Sequence, residues 1–421
     1  MILYYVILLF SAVPSHPWFG SDLGGVTFFK VTGAICAVYA VFRLTMRKSA
    51  PPFVSTWPAR LFIVLFLMAI VSHVFTNLGA DITNTAISIY LSVGFLFFIT
   101  LTVIDSRDRL QASLLFMIAA LGIASLYTVR EWQKAGFSYY RPGYVAGDAN
   151  FYAAATLLTL PVSYYLAREK GSALRRFFCW GCLAITAIGF VSAASRGGLV
   201  GLGLAVVYML IRSEKRLGLM VSAGLLFVVM LFSPISPIQR LLHPQYGDDN
   251  SAATHKILWT TALELIRENP VFGIGLGNFK ERTAELHVLV NNSAMAHNTY
   301  LEYAAELGVP ALLIFLGVLV STFLLLEKVR RRAADSFFRR AALGLQAGLV
   351  GFAGAGFFFS AEYEKPFWLV VFICCCMPPI LLAEKAAEKT PLAFKELRPD
   401  SRLGFGTVQK AGGAWIGERS R

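Results

Sequence analysis

The chain predicts an all-α polytopic membrane protein, and three observations carry that prediction. Hydrophobic residues make up 56% of the sequence and charged residues only 15%, with a mean hydropathy of +0.61. A soluble domain is about a quarter charged. The apolar residues gather in runs of about 17 to 23, each long enough to cross a bilayer core. The basic residues sort to one side of those runs.

Taken in order, the spans are expected at 2–14, 24–45, 61–76, 85–104, 110–128, 149–167, 177–194, 198–212, 217–234, 299–327, 341–360 and 366–384. This is about twelve transmembrane helices. The first is the shortest. No basic residues precede it, so it reads as a membrane helix and not as a secretory leader. With the N-terminus in the cytoplasm, the inner segments hold Arg43, Arg47, Lys48, Arg60, Arg107 and Arg109. Clusters at 168–176, 212–216 and 328–340 and the C-terminal tail bring the total to 27 of the 38 Lys and Arg. That is the pattern of the positive-inside rule. The net charge of +13 is therefore mostly topological. It favours contact of the inner face with anionic membrane lipid over any nucleic-acid partner.

Residues 1–384 form one membrane domain. Residues 385–421 form a polar, basic tail without periodicity, expected to be disordered on the cytoplasmic side. All six cysteines fall in expected spans. Cys179 and Cys182 have CxxC spacing but sit one turn apart on an apolar helix, where packing is a better reading than metal or redox work.

Two outer segments depart from the pattern. Residues 129–148 carry Arg130, Lys134 and Arg141 where positive charge is otherwise avoided. Residues 235–296 form by far the longest connection, a large and partly helical loop. In it Trp259, Ala262, Leu263 and Ile266 recur at i, i+3, i+4 and i+7, the pattern of an amphipathic helix. Asn269-Pro270 ends that helix. A glycine-rich run from Val271 to Phe279 follows. No predicted strand precedes it, as a dinucleotide fingerprint would need. A structured loop of this size is more often functional than not.

The candidate site residues lie on this outer side. His297 is one of only six histidines and stands where the long loop meets the next span. A neutral imidazole there can accept a proton near pH 7. Asn298 follows it, and Glu302 and Glu306 share one face of the next helix. Carboxylates entering an apolar span suggest a polar cavity, beside which His297 could act as a general base. The bland alternative is a helix-start histidine with two interfacial glutamates. Arg196 sits in the tight connection Ala194-Ser195-Arg196-Gly197-Gly198. Its guanidinium fork matches phosphate oxygens, and the glycines would let a ligand approach the backbone. A snorkelling interfacial arginine would look the same. Arg141 lies among Tyr139, Tyr140 and Tyr144, which read either as an interfacial belt or as stacking surfaces for sugar rings. His255 and Lys256 open the loop helix and add basic character. His243 and His287 read as surface residues. No DxD-like or His-rich cluster on this side suits a divalent metal. Positive charge at the mouth of a membrane cavity suits an anionic lipid head group, such as a pyrophosphate.

The run His297-Asn298-Thr299-Tyr300-Leu301, with Gly308 beyond it, resembles the signature of the bacterial O-antigen ligase and polysaccharide polymerase superfamily. Asn269 to Phe279 resembles the loop segment that precedes the family histidine. Ser195-Arg196-Gly197-Gly198 resembles its arginine at a helix end, and Gly147-Asp148-Ala149-Asn150 its asparagine-bearing helix start. The resemblance covers about residues 140–330. It implies a glycosyltransferase of the bacterial inner membrane, with an active site facing the periplasm. Such a protein moves a glycan from undecaprenyl pyrophosphate to an acceptor hydroxyl, with inversion and with neither metal nor other cofactor. The acceptor would be lipid A-core, as in lipopolysaccharide synthesis, another glycan, or a protein. His297 would be the general base, Arg196 would hold the pyrophosphate, and Arg141 would assist. The family usually has an arginine four residues before the loop tryptophan. Here His255 takes that place before Trp259, with Lys256 beside it; either would replace the lost positive charge at the pyrophosphate, but neither offers a bidentate fork.

Ligase, polysaccharide polymerase and protein O-oligosaccharyltransferase share this donor chemistry and differ in acceptor. A transporter or flippase would concentrate charged or broken helices near mid-membrane. Here the unusual residues gather on one outer face. A non-catalytic scaffold gives no reason for the His297 signature.

Overall fold

The computed structural model describes all residues except 12–27, 47–53, 77–80, 138–147, 213–215, 234–237, 239–250, 287–293, 362–363 and 397–421. Among the described residues the long elements are all helices and no strand occurs. In chain order they are α1 (Ile2–Ser11), α2 (Phe28–Thr45), α3 (Trp57–Thr76), α4 (Asp81–Val103), α5 (Arg107–Lys134), α6 (Ala149–Ala167) and α7 (Ala173–Ala193). There follow α8 (Arg196–Arg212), α9 (Arg216–Phe232), α10 (Ser251–Glu268), α11 (Asn278–Glu285), α12 (Thr299–Arg332), α13 (Ser336–Ala355) and α14 (Lys365–Glu396). Each expected span falls on one helix, α1 to α9 or α12 to α14. The long loop contributes α10 and α11.

Six of these helices are long and apolar enough to cross a membrane: α3, α4, α5, α7, α12 and α14. Parts of α2 and α9 are apolar but shorter. The chain is a multi-pass membrane protein, with six such helices where the sequence predicts about twelve spans. The difference has a physical cause in α6 and α13. Helix α6 is buried along nearly its whole length among Tyr152, Thr156, Thr159 and Ser163, and α13 buries Gln346 and four glycines. Helices enclosed by other helices need no lipid-facing apolar surface.

Helices α6, α8 and α13 pack tightly because small residues bring their backbones together. A Cβ on Gly344 would meet Val162 Cα of α6 at 2.7 Å, and one on Gly351 would meet the Gly201 carbonyl of α8 at 3.1 Å. Such small-residue faces drive close packing where no hydrophobic force separates helix from lipid. The same contacts place the first turns of α6 and α8 beside the last turn of α13.

Residues Met1–Leu381 form one compact unit and Leu382–Arg421 a second. Helix α14 runs on to Glu396, so the first part of the tail expected to be disordered is helical. Ala383-Glu384-Lys385-Ala386-Ala387-Glu388-Lys389 is composed of strong helix formers, which the polar composition masked. The loop helix also differs in register. Its buried stripe is Leu258, Ala262 and Leu265, while Leu263 is exposed.

At the end of the bundle away from the His297 turn, the basic residues are partly neutralised. Arg107 pairs with Asp335 at 3.0 Å, Arg109 with Asp105 at 2.7 Å, and Arg330 with Glu327 at 2.7 Å. Arg43 also pairs with Asp105.

Helix α12 breaks at Gly308, where φ is 84° and ψ 166°. The break receives the glycine-rich loop. Ile274 N–H donates to the Ala305 carbonyl and Gly275 N–H to the Glu306 carbonyl, both at 2.8 Å. In return Val309 N–H donates to the Pro270 carbonyl at 2.8 Å. Gly273 and Gly308 both have positive φ. A Cβ on Gly308 would overlap the Val271 carbonyl, and one on Gly273 the Glu306 backbone. The glycines of this loop therefore serve a backbone interlock. Gly308→Ala should lower the thermal unfolding midpoint of the purified protein by the equivalent of at least about 1 kcal/mol, from the left-handed backbone alone. An unchanged midpoint would contradict the interlock.

Candidate functional site

His297 lies on a turn that the surrounding backbone holds by several bonds. Its own φ is +49°, a left-handed conformation that histidine tolerates better than most residues. On its near side Ala296 N–H donates to Glu302 Oε2 at 3.1 Å. On its far side Asn298 caps α12, with Oδ1 accepting from Tyr300 N–H at 3.0 Å and Leu301 N–H at 3.1 Å. Thr299 then bonds across to the turn after α13. Its N–H and hydroxyl both donate to the Phe359 carbonyl, at 2.9 and 2.7 Å, and its hydroxyl accepts from Ala361 N–H at 3.0 Å. The Ser360 hydroxyl closes the set by donating to Glu302.

The two glutamates thus have other work than lining a polar cavity. Glu302 and Glu306 are 1% and 3% exposed. Glu302 fastens the segment leading into His297, and Glu306 accepts from Phe279 N–H at 3.2 Å, in the first turn of α11. Asn298 is a helix cap. These residues position the histidine turn through the backbone.

Around His297 and the residues that act on it, the structure gathers groups from four other segments. From α10, the His255 ring lies 5.3 Å from the His297 ring, and Trp259 6.0 Å from His255. From α8, the Arg196 charge reaches His255. From the start of α6 comes Asp148, whose Oδ1 caps the helix by accepting from Asn150 N–H at 2.6 Å and Phe151 N–H at 3.1 Å. From the segment entering α14 come Glu364 and Lys365. The Ser195 hydroxyl donates to Asn150 Oδ1 at 2.8 Å and accepts from Gly198 N–H at 3.1 Å. The bond to Asn150 joins the first turn of α6 to the start of α8, next to Arg196 in the chain.

The electrostatics follow from this packing. Burial pushes His297 below the usual histidine value, and the negative charge of Asp148 opposes that shift. Burial, His297 and Arg196 together push His255 down to about 4. His255 is therefore neutral at pH 7, and the positive charge that acts on it is that of Arg196. Burial and Asp148 push Glu364 up to about 7, with Lys365 acting the other way.

Three expectations need correction. Gly197 and Gly198 do not open the backbone to a ligand. Both are buried, Gly197 against Phe358 and Gly198 against Ala153 and Phe190. Lys256 is exposed on α10, and no described contact joins it to His297. His255 does not supply a cation. Arg141, His243 and His287 lie outside the described residues. Sequence reasoning missed Asp148, Glu364 and Lys365 as members of the site. Their available signals were an Asp just before a helix start and a charged pair in a short outer connection.

These features define a class: a multi-pass membrane protein with a one-ended polar site, in which a histidine on a left-handed turn packs on a second histidine that an arginine acts on. Residues 181–316 match the family described as O-antigen ligase, which supports the chain's place in the O-antigen ligase superfamily. The matched segment holds Arg196, His255, His297, Glu302 and the Gly308 break. No curated protein matches the chain.

If Glu302 acts by fastening the His297 turn, Glu302→Leu leaves Ala296 N–H and the Ser360 hydroxyl without an acceptor. Each buried unpaired group costs about 1–3 kcal/mol. The unfolding midpoint should fall in Glu302→Leu and recover in Glu302→Gln, which still accepts. Equal midpoints for wild type and Glu302→Leu would refute the fastening role.

Proposed function

We propose that this protein transfers a glycan from undecaprenyl pyrophosphate to an acceptor hydroxyl, at the periplasmic face of a bacterial inner membrane. The observation that carries the reading is His297 itself: held on a left-handed turn and packed on His255, on which the Arg196 charge also acts. The distribution of Lys and Arg over the expected spans supports putting this end of the bundle outside. The family match supports the donor class, a lipid-linked glycan.

In the reaction, an imidazole nitrogen of His297 takes the proton of the acceptor hydroxyl. The freed oxygen attacks the anomeric carbon from the face opposite the leaving group. The anomeric C–O bond breaks, undecaprenyl pyrophosphate keeps its electron pair, and the configuration inverts. Arg196 stabilises the charge growing on the departing pyrophosphate. The positive end of the α8 dipole, at the same residue, acts in the same sense. His255 contributes a neutral hydrogen-bonding ring, and Arg141 a second guanidinium. No step calls on a metal. Ligase, polymerase and protein O-oligosaccharyltransferase activities all fit this donor chemistry, and the ligase reading is preferred for its match to the general family signature.

His297→Ala should remain folded and transfer nothing when assayed with purified undecaprenyl-pyrophosphate glycan in detergent and chelator. Normal transfer would remove the base assignment. Arg196→Lys keeps charge but loses the fork, so the donor KM should rise roughly tenfold; an unchanged KM argues against pyrophosphate contact. The pH profile supplies another test. Since burial lowers the His297 pKa, the neutral base persists below the usual histidine range. Transfer should therefore be on its plateau at pH 7 and fall only at more acidic pH. An acidic limb centred above pH 7 would contradict this.

A further inference from the structure

We propose that Asp148 is a positioning residue for His297, its carboxylate steadying the imidazolium that forms when the acceptor hydroxyl gives up its proton. This rests on the base role proposed above. As the acceptor O–H bond breaks, the proton and its positive charge pass to His297, while the oxygen's electron pair enters the new glycosidic bond. A fresh cation then stands against the His255 ring, on which Arg196 also acts, and Arg196 must stay positive for the leaving group. Without a nearby anion, the two charges oppose each other in a partly dry site.

The backbone brings Asp148 to the right place. Its helix cap uses Oδ1 for both bonds. One turn on, the Phe151 ring packs on Phe359 at 5.9 Å. The Phe359 carbonyl accepts both bonds from Thr299, two residues after His297. The first turn of α6 and the His297 turn are thus built on one short stretch of chain, and the Asp148 charge acts on His297. The other charged and titratable groups here serve differently. Arg196 of α8 is itself positive, and His255 of α10 is neutral. Lys256 of α10 is exposed. Glu364, before α14, shares its surroundings with Lys365.

A plain structural role is the competing account, because Asp148 caps a helix. Asparagine caps as well as aspartate does, so Asp148→Asn removes the charge and keeps the cap. Two readings are taken on the full-length protein: the titration of His297 by NMR, and steady-state transfer across pH. Each is repeated in a Glu364→Gln background to remove the titration of Glu364. Asp148→Asn should melt as wild type, while Asp148→Ala, which loses the cap, should melt lower. In Asp148→Asn, His297 should titrate at lower pH, because the anion that favoured its charged form is gone. The plateau kcat should fall roughly tenfold, the rate equivalent of one pKa unit, with the donor KM unchanged. An unshifted His297 titration overturns the pairing. A shifted titration with unchanged kcat overturns the role of Asp148 in the reaction, whereas the base role of His297 stands or falls with the transfer activity of His297→Ala.

Discussion

The break in α12 at Gly308 is the constraint on which the site depends. A continuous helix would use the carbonyls of Ala305 and Glu306 internally. The break turns them towards the glycine-rich loop, which docks there through Ile274 and Gly275. With the loop anchored, Glu306 holds α11, and Leu258, Ala262, Leu265, Phe279 and Ala296 close a small apolar core between loop and helix. That core sets α10 against α12 and so brings the His255 ring onto His297. One backbone irregularity thus converts a long connection into a fixed wall of the site.

The site has a division of labour that the residue types alone conceal. Of the polar side chains around the histidine turn, Asn298, Thr299, Glu302 and Ser360 are occupied by backbone or by each other. His255, His297 and Arg196 are held in place mainly by packing and by the turns that carry them. Buried groups that are satisfied locally give rigidity, and that rigidity keeps His297 on its strained turn.

Much of this was legible in the sequence. The helices follow from apolar runs, and counting sides groups Arg196, His255 and His297, which the structure links through the His255 ring. The number of helices able to face lipid was less legible, since hydropathy reports composition and not enclosure. Gly197 and Gly198 illustrate a second limit. A glycine pair looks the same whether it admits a ligand or a phenylalanine ring, and here Phe358 fills the space. Asp148 and Glu364 illustrate a third. They are distant in sequence from His297, and only the packing of α6 and the turn after α13 joins them to it. The His255 charge was misread because desolvation is a property of the fold.

The ion pairs at the far end of the bundle carry a consequence for how the protein is made. On the proposed topology, Arg43, Arg107 and Arg109 help to orient the chain as it enters the membrane, and that signal needs them unpaired. Their partners Asp105 and Asp335 contribute little to orientation; Asp105 adjoins Arg109 in the chain, but Arg43 meets Asp105, and Arg107 meets Asp335, only once the helices assemble. The same arginines thus act twice: first as free charges that choose a direction, then as pins that register α2, α5 and α13 against one another. A reversal of topology after assembly would have to break every one of those pins, so maturation of the bundle makes the early choice of direction permanent.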